Sequence, residues 1–289
     1  MAEHGVKRVT VIGSGQMGGG ISQVAAVSGF DVRVHDAAET QLDRCKATHA
    51  KLLGRDVEKG RLSEGDAEAA KSRISYTSGF EDAVDGADIV IEAVVEDAAV
   101  KRSIFAKLDE RCTNDNQILA TNTSSISITE IAAATTCPKQ VIGMHFFYPV
   151  PVMKLVEVIN GLATDAEVTA RTIALAESFN KTALAANDRA GFVSNRVLMP
   201  MINEAFYALM EGVAEPEAID GIMKLGCNFP MGPLRLADFI GLDTCAHIME
   251  VLAEGLNSDR YRPCPLLKQF VTAGRLGDKS GRGVFNYQK

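Results

Sequence analysis

Residues 11–20 read VIGSGQMGGG, and this stretch decides the fold. The β-branched run RVTVIG at 8–13 predicts a short buried strand that leads into it. MGGGISQVAAVSGF at 17–30 has apolar residues at helical spacing and predicts a helix that leads out of it. The G-x-G-x-x-G pattern of Gly13, Gly15 and Gly18 lies between the two, and this context predicts a dinucleotide-binding turn.

The three glycines have separate expected roles in such a turn. Gly13 makes the tight turn, Gly15 lets the backbone approach a pyrophosphate, and Gly18 lets the helix pack closely on the strand. The helix N-terminus offers N–H groups and a positive dipole end to the phosphates. We therefore expect the cofactor to bind along the residues Gly13, Ser14, Gly15, Gln16, Met17 and Gly18.

An acidic residue follows at the spacing that a dinucleotide-binding turn requires. Asp36 ends a second predicted strand at 31–36, which places it 18 positions after Gly18. A carboxylate there binds the ribose hydroxyls and repels a 2′-phosphate, which predicts NAD rather than NADP. The alternative is an aspartate that caps a strand behind a purely structural turn.

The rest of the chain divides into an alternating part and a helical part. Strands are predicted at 87–94, 117–125, 140–149 and 154–160, and helices at 38–72 (interrupted at EKGRLSEGD), 100–112 and 165–181. From Val193 onward apolar residues recur only at helical spacing. The sequence thus predicts an α/β domain at 1–187, with a Rossmann-type, doubly wound, mainly parallel sheet, followed by an all-helical C-terminal domain at 188–289.

Composition excludes several classes of protein. The net charge of −7 over 289 residues argues against a broad nucleic-acid interface, and there is neither an 18-residue apolar run nor a signal peptide, so no membrane partner is expected. The six cysteines contain no C-x-x-C pair, which indicates no metal site and is typical of reduced thiols in the cytoplasm. They are Cys45, Cys112, Cys137, Cys227, Cys245 and Cys264.

Hydride transfer from an alcohol requires a base with a pKa near the working pH, and histidine is the usual residue. His145 stands at a predicted strand end, the edge at which ligands bind in open α/β sheets; a structural histidine is the alternative. Glu157, flanked by apolar residues in the next strand, is expected to be buried with a partner, or else to lie on a solvent-facing side. The other histidines lie in the N-terminal tail, beside Asp36 or in helical patterns: His4, His35, His49 and His247.

These residues carry a family resemblance. The chain resembles the 3-hydroxyacyl-CoA dehydrogenase family, most closely its short bacterial 3-hydroxybutyryl-CoA dehydrogenases. The matching stretches follow the family order over nearly the whole chain: VIGSGQMGGGI, VIEAVVED, TNTSSISI, GMHFFYPVPVMKLVEVI, GFVSNRVLMP, FPMGPLRLADFIGLDT and GDKSGRGVFNY. VEDAAVK departs from the family at Asp97, Ala98 and Ala99, and HFFYP departs at Tyr148.

The resemblance implies roles for individual residues. It implies that His145 is the catalytic base, that Glu157 is its acidic partner, and that Ser124 and Asn195 hold the substrate oxygen. It also implies cofactor contacts for Glu96, Lys101, Ser124 and Lys279, and a contact between Lys59 and the CoA phosphates. Simpler alternatives remain open: Ser124 as a helix cap, Asn195 as a helix-internal or cap residue, and Lys59 and Lys101 as surface charges.

The function implied by the resemblance is reversible oxidation of an (S)-3-hydroxyacyl-CoA, of short acyl chain, to the 3-ketoacyl-CoA with NAD. The expected partners are an acyl-CoA substrate and a second copy of the chain in a cytoplasmic homodimer. One alternative is a CoA-independent hydroxy-acid dehydrogenase on the same scaffold. The other is a non-catalytic structural protein similar to a lens crystallin.

Overall fold

The computed structural model of the protein describes residues 4–111 and 116–287. The chain forms two compact units, the first ending at Asp188 and the second beginning at Arg189. Each unit has its own cluster of buried apolar side chains. Cys112, at the end of the predicted helix 100–112, lies outside the described residues.

The first unit is built on one eight-stranded sheet with the order β3-β2-β1-β4-β5-β6-β7-β8. All neighbouring strands are parallel except β6 and β7, which are antiparallel, so the predicted Rossmann-type, mainly parallel sheet is confirmed. The strands are β1 Arg8–Ile12, β2 Asp31–His35, β3 Ile74–Thr77, β4 Ile89–Glu92, β5 Ile118–Thr121, β6 Val141–Phe146, β7 Leu155–Asn160 and β8 Thr182–Asn187.

Seven helices belong to the described part of this unit. They are α1 Gln16–Val27, α2 Glu39–Glu58, α3 Glu64–Ser72, α4 Phe80–Val84, α5 Ala98–Asp109, α6 Ile128–Ala132 and α7 Ala166–Ser178. The break between α2 and α3 lies in the predicted interruption, and Ser63 caps α3 by accepting a hydrogen bond from the Asp66 N–H. Residues of β4 and β5 are all buried, as expected for central strands that are covered on both faces.

Two strands at the edges of the sheet were not predicted. β3 has only four residues, and β8 reads TALAAN, which lacks the β-branched run that marks a buried strand. β8 pairs with β7 in parallel, and most of its residues are exposed. Local composition does not identify such strands, because pairing with the neighbouring strand stabilises them.

The topology brings the predicted site residues that follow β1, β4 and β5 to one edge of the sheet, together with His145 near the end of β6. β1, β4, β5 and β6 run in parallel, so their carboxyl ends share that edge. Strand order reverses at β1, which lies between β2 and β4, and ligands of open α/β sheets bind at such a point.

The second unit is helical in its described residues, as predicted. Its helices are α8 Ser194–Met210, α9 Pro216–Gly226, α10 Pro233–Ile240, α11 Leu242–Gly255 and α12 Pro265–Thr272. The buried Asp238 on α10 accepts hydrogen bonds from the N–H groups of Val284 and Phe285 and from the Tyr287 hydroxyl, which fastens the C-terminal segment. Within 4–111 and 116–287, the helices are all too short or too polar to cross a membrane.

Candidate active site

The glycine-rich turn has the geometry that a dinucleotide requires. Gly13 has a φ of +98°, and a Cβ at Gly18 would overlap the Gly13 carbonyl oxygen, so both positions need glycine. A Cβ at Gly15 would meet no atom within 4 Å, so space is open where a pyrophosphate would approach. No side chain caps the N-terminus of α1, and its first turn holds no acid. The turn therefore fits a dinucleotide phosphate group.

Asp36 lies directly beside this turn. Its Oδ2 accepts hydrogen bonds from the Ser14 N–H at 3.0 Å and the Ser14 hydroxyl at 2.8 Å, and its Oδ1 accepts from the Ala38 N–H at 3.1 Å. Burial of the carboxyl opposes ionisation, but these hydrogen bonds outweigh burial and lower the pKa of Asp36. Asp36 is therefore an anion at neutral pH, held beside the glycine-rich turn.

A buried ion pair stands at the end of β4. Glu92 is completely buried, and Lys101 on α5 is only 1% exposed. The Lys101 Nζ lies 2.7 Å from Glu92 Oε1 and 3.0 Å from Glu92 Oε2, and 3.4 Å from Glu96 Oε2. The possibility that Lys101 is a surface charge is therefore wrong. Its ammonium group joins the buried carboxylate of Glu92 to the carboxylate of Glu96, whose side chain is 29% exposed.

Glu96 accepts hydrogen bonds from the loop that follows β5. Its Oε1 lies within 3.1 Å of the N–H and hydroxyl groups of both Ser124 and Ser125 and 2.7 Å from the Thr123 hydroxyl, all of which can donate. The helix cap in this loop is Ser127, which accepts from the Glu130 N–H, so the alternative that Ser124 caps the helix is wrong. Ser124 is instead held in place by the carboxylate of Glu96.

The charge of Glu96 has a consequence for stability. Burial opposes ionisation, but Lys101 and the donors from Thr123 and Ser124 outweigh it and lower the pKa of Glu96 below 4.5. A lowered carboxyl pKa stabilises the fold above pH 4.5, and this contribution is lost as the pH falls through the folded pKa.

We expect Glu96→Gln to lower the free energy of unfolding at pH 7 by about 1 kcal/mol, because the donors of the Ser124 loop keep only a neutral acceptor and solvent screens the partly exposed charge. The difference from the wild type shrinks at pH 4. Urea unfolding at both pH values measures it, with the exposed Glu130→Gln as control. If the loss in the free energy of unfolding is the same at pH 7 and pH 4, the lowered pKa of Glu96 is contradicted.

Asn122 joins the ends of β5 and β6. Its N–H donates to the Glu92 carbonyl at 2.7 Å, and its side-chain Oδ1 accepts from the Phe146 N–H at 2.8 Å. The amide thereby fixes the strand end that carries His145 relative to the loop of Ser124. Neither Asn122 nor Glu92 was predicted from the sequence as a site residue.

His145 and Glu157 form the pair that the sequence predicted. They are directly opposite each other in the antiparallel β6–β7 ladder, and both are buried. The His145 Nδ1 lies 2.8 Å from Glu157 Oε2. Because a carboxylate only accepts, Nδ1 carries the proton, and this fixes the tautomer and the orientation of the ring.

Three further residues were predicted to belong to the site: Lys59, Asn195 and Lys279. Lys59 is exposed at the C-terminal end of α2. In the second unit, Asn195 is buried in the first turn of α8, and Lys279 forms an ion pair with Asp243 at 2.6 Å. Within residues 4–111 and 116–287, no group of three His, Cys, Asp or Glu residues could hold a metal ion.

Comparison with known proteins identifies the family of both units. Residues 8–189 match the family model described as 3-hydroxyacyl-CoA dehydrogenase, NAD binding domain, and residues 191–287 match that family's C-terminal domain. A probable 3-hydroxybutyryl-CoA dehydrogenase of Bacillus subtilis (strain 168) is 57% identical over 288 residues, which are 98% of this chain and 98% of that protein. A 3-hydroxybutyryl-CoA dehydrogenase of Clostridioides difficile is 46% identical over 98% of this chain and 100% of its own length.

Solved structures give the same result. The crystal structure of an (S)-3-hydroxybutyryl-CoA dehydrogenase from Ralstonia eutropha has a TM-score of 0.95 and 46% identity, and the match covers 98% of this chain and 100% of that chain. The turn, the His145–Glu157 pair and these matches lead to one conclusion: the chain belongs to the 3-hydroxyacyl-CoA dehydrogenase family, and its first unit is that family's NAD binding domain.

Proposed function

We propose that the protein is an oxidoreductase that interconverts (S)-3-hydroxyacyl-CoA and 3-ketoacyl-CoA with NAD, and that its acyl chain is short, as in 3-hydroxybutyryl-CoA. The observation that carries the proposal is the buried His145–Glu157 pair, 2.8 Å apart, in a chain of this family. The names of the full-length relatives support the short chain. NAD, when bound, accepts the hydride in the oxidative direction.

His145 takes the proton of the substrate's 3-hydroxyl group. Because Nδ1 binds Glu157, the proton goes to Nε2 at the other side of the ring. The imidazolium then donates to the Glu157 carboxylate, which stabilises the positive charge as it forms. In the reductive direction the same imidazolium returns the proton to the substrate oxygen.

Ser124 holds the substrate oxygen in this proposal. Its hydroxyl donates to Glu96 at 3.1 Å, but that carboxylate oxygen has four other donors in Thr123, Ser125 and the Ser124 N–H. Turning the hydroxyl toward a substrate therefore costs little. Glu96, with Lys101 and Glu92 behind it, fixes the position of the Ser124 backbone during the reaction.

Family membership supports roles for the three further predicted residues. We assign substrate binding to Asn195 and Lys59, the latter through the CoA phosphates, and cofactor binding to Lys279. We also propose that the protein is a homodimer in the cytoplasm.

The substrate class is tested by following NADH formation from NAD with (S)-3-hydroxybutyryl-CoA, its (R) enantiomer and free (S)-3-hydroxybutyrate. We expect turnover with the (S)-thioester, and kcat/KM at least about 100-fold lower with the other two. Turnover of the free acid at an equal kcat/KM would show a CoA-independent hydroxy-acid dehydrogenase. Turnover of none of them would contradict the proposal.

We expect Asp36→Ala to raise KM for NADH and to lower the NADH/NADPH ratio of kcat/KM by about tenfold or more, because the carboxylate that repels a 2′-phosphate is gone. The ratio is measured with acetoacetyl-CoA as substrate. The control is Asp31→Ala at the exposed start of the same strand. An unchanged ratio in Asp36→Ala contradicts the contact with the ribose.

A further inference from the structure

His49 lies in a buried position between α2, α1 and β3. It is only 2% exposed. Its Nε2 lies 2.7 Å from the carbonyl oxygen of Gly19 and 3.2 Å from the Ser22 hydroxyl, both on α1. Its Nδ1 lies 2.7 Å from the hydroxyl of Tyr76, which is on β3. One imidazole ring therefore links three elements of the first unit.

The partners fix the direction of these hydrogen bonds. A carbonyl oxygen only accepts, so Nε2 carries the proton that is donated to Gly19. Burial lowers the pKa of His49 more than the Gly19 carbonyl raises it, so the ring is neutral and its Nδ1 accepts from Tyr76. Burial also raises the pKa of Tyr76, so its hydroxyl keeps the proton that it donates.

The carbonyl of Gly19, which accepts from His49, directly follows the glycine-rich turn. Gly19 stands in the first turn of α1, and its N–H donates to the carbonyl of Gly15 at 2.8 Å. The Ser22 hydroxyl lies 2.8 Å from the Gly18 carbonyl oxygen and 3.0 Å from that of Gly19. His49 is thus two hydrogen bonds away from Gly15, where the backbone approaches the pyrophosphate.

Gly19 allows α2 to approach α1 closely. A Cβ at Gly19 would lie 3.3 Å from the Cys45 Sγ and 3.8 Å from His49 Nε2. Cys45 and His49 are one turn apart on α2 and face α1 together. The glycine therefore serves the contact with α2, in addition to the role of its neighbours in the turn.

We propose that His49 is a positioning residue for NAD binding, which holds the first turn of α1 through the Gly19 carbonyl and is itself held by Tyr76. The proposal rests on the proposed function, because it takes the glycine-rich turn as the phosphate site. The contacts of His49 with Gly19 and Ser22 are on α1, so we expect its removal to weaken NADH binding more than the binding of the acyl-CoA.

The test compares KM for NADH, KM for acetoacetyl-CoA and kcat in His49→Leu, His49→Gln and Tyr76→Phe. Without the hydrogen bond from His49 to the Gly19 carbonyl, the first turn of α1 must be ordered as NADH binds. If that cost equals about one net hydrogen bond, KM for NADH rises about fivefold in His49→Leu, while the other two constants stay within about twofold. Gln can place a donor near the position of Nε2, so we expect His49→Gln to restore most of the NADH affinity. Tyr76→Phe shows a smaller rise in KM for NADH.

Leu53→Ala provides the matched control. Leu53 lies one turn further along α2, is completely buried and belongs to the core. Leu53→Ala lowers the melting temperature but leaves KM for NADH unchanged. If His49→Leu behaves in the same way, or raises both KM values equally, His49 is only a packing residue and the proposal is wrong.

Direct titration of NADH by fluorescence separates this proposal from the proposed function. If the wild type binds NADH but does not reduce acetoacetyl-CoA, the substrate assignment fails and the Kd values of the same variants still test His49. If the wild type does not bind NADH, the proposed function fails and the role of His49 fails with it.

Discussion

We expect His145→Gln to lower kcat for acetoacetyl-CoA reduction by at least about 100-fold, because glutamine cannot act as the general acid–base at the substrate oxygen. KM for NADH stays within about twofold, since the glycine-rich turn and Asp36 are unchanged. Glutamine can still donate to Glu157, so the buried carboxylate keeps a partner and the fold is retained. Steady-state kinetics and circular dichroism measure the two effects.

Two further variants test whether the loss of kcat arises from the His145–Glu157 pair. His247→Gln, on the exposed side of α11, is the matched control and leaves kcat unchanged. Glu157→Gln removes the carboxylate that stabilises the imidazolium, and we expect kcat to fall by at least about tenfold. Turnover of His145→Gln at a near-normal rate would remove His145 from the mechanism.

Lys101→Met has the largest expected effect on stability. The substitution leaves Glu92 as a buried carboxylate without its cation, and the loss of one partner of a buried ion pair costs about 3–5 kcal/mol. Glu96 loses the same cation, so the loop of Ser124 is held less firmly and kcat falls as well. Urea unfolding and steady-state kinetics measure the two losses.

The control and the double variant show whether the ion pair is the cause. Lys107 lies on the exposed side of the same helix. We expect Lys107→Met to leave the free energy of unfolding and kcat within error of the wild type. Glu92→Leu combined with Lys101→Met removes both charges, so we expect it to be more stable than Lys101→Met alone. A double variant whose losses are simply additive contradicts the coupling between the two residues.

The sequence was most informative where a function requires a particular residue type at a particular spacing. Only glycine satisfies the φ of Gly13 and the packing of Gly18, so the turn could be located from the chain alone. The pairing of His145 with Glu157 was predictable because an acid among apolar strand residues needs a partner. Antiparallel pairing of β6 with β7 then places the two opposite each other.

The residues that support the site were not predictable in the same way. Glu92 ends an apolar strand and Lys101 lies in a charged helical stretch, so each alone has an ordinary local pattern. Their contact depends on how α5 packs against β4, which only the tertiary structure shows. A buried acid at a strand end, followed nine residues later by a lysine in a helix, was the available signal.

His49 illustrates the same limit. Its helical pattern indicates a packing or surface residue, and nothing in the sequence links it to Gly19 or Tyr76. The link depends on how α2 packs against α1 and β3, between residues that are 27 positions apart or more in the chain. Long-range contacts of this kind are the part of the site that the structure adds.

The most direct test of the account is the oxidation of NADH and of NADPH, in parallel, by the purified protein with acetoacetyl-CoA. The account predicts rapid turnover with NADH and a kcat/KM at least about tenfold lower with NADPH, because Asp36 is ionised beside the turn. A preference for NADPH would contradict the reading of Asp36, and the absence of turnover with both cofactors would contradict the proposed reaction itself.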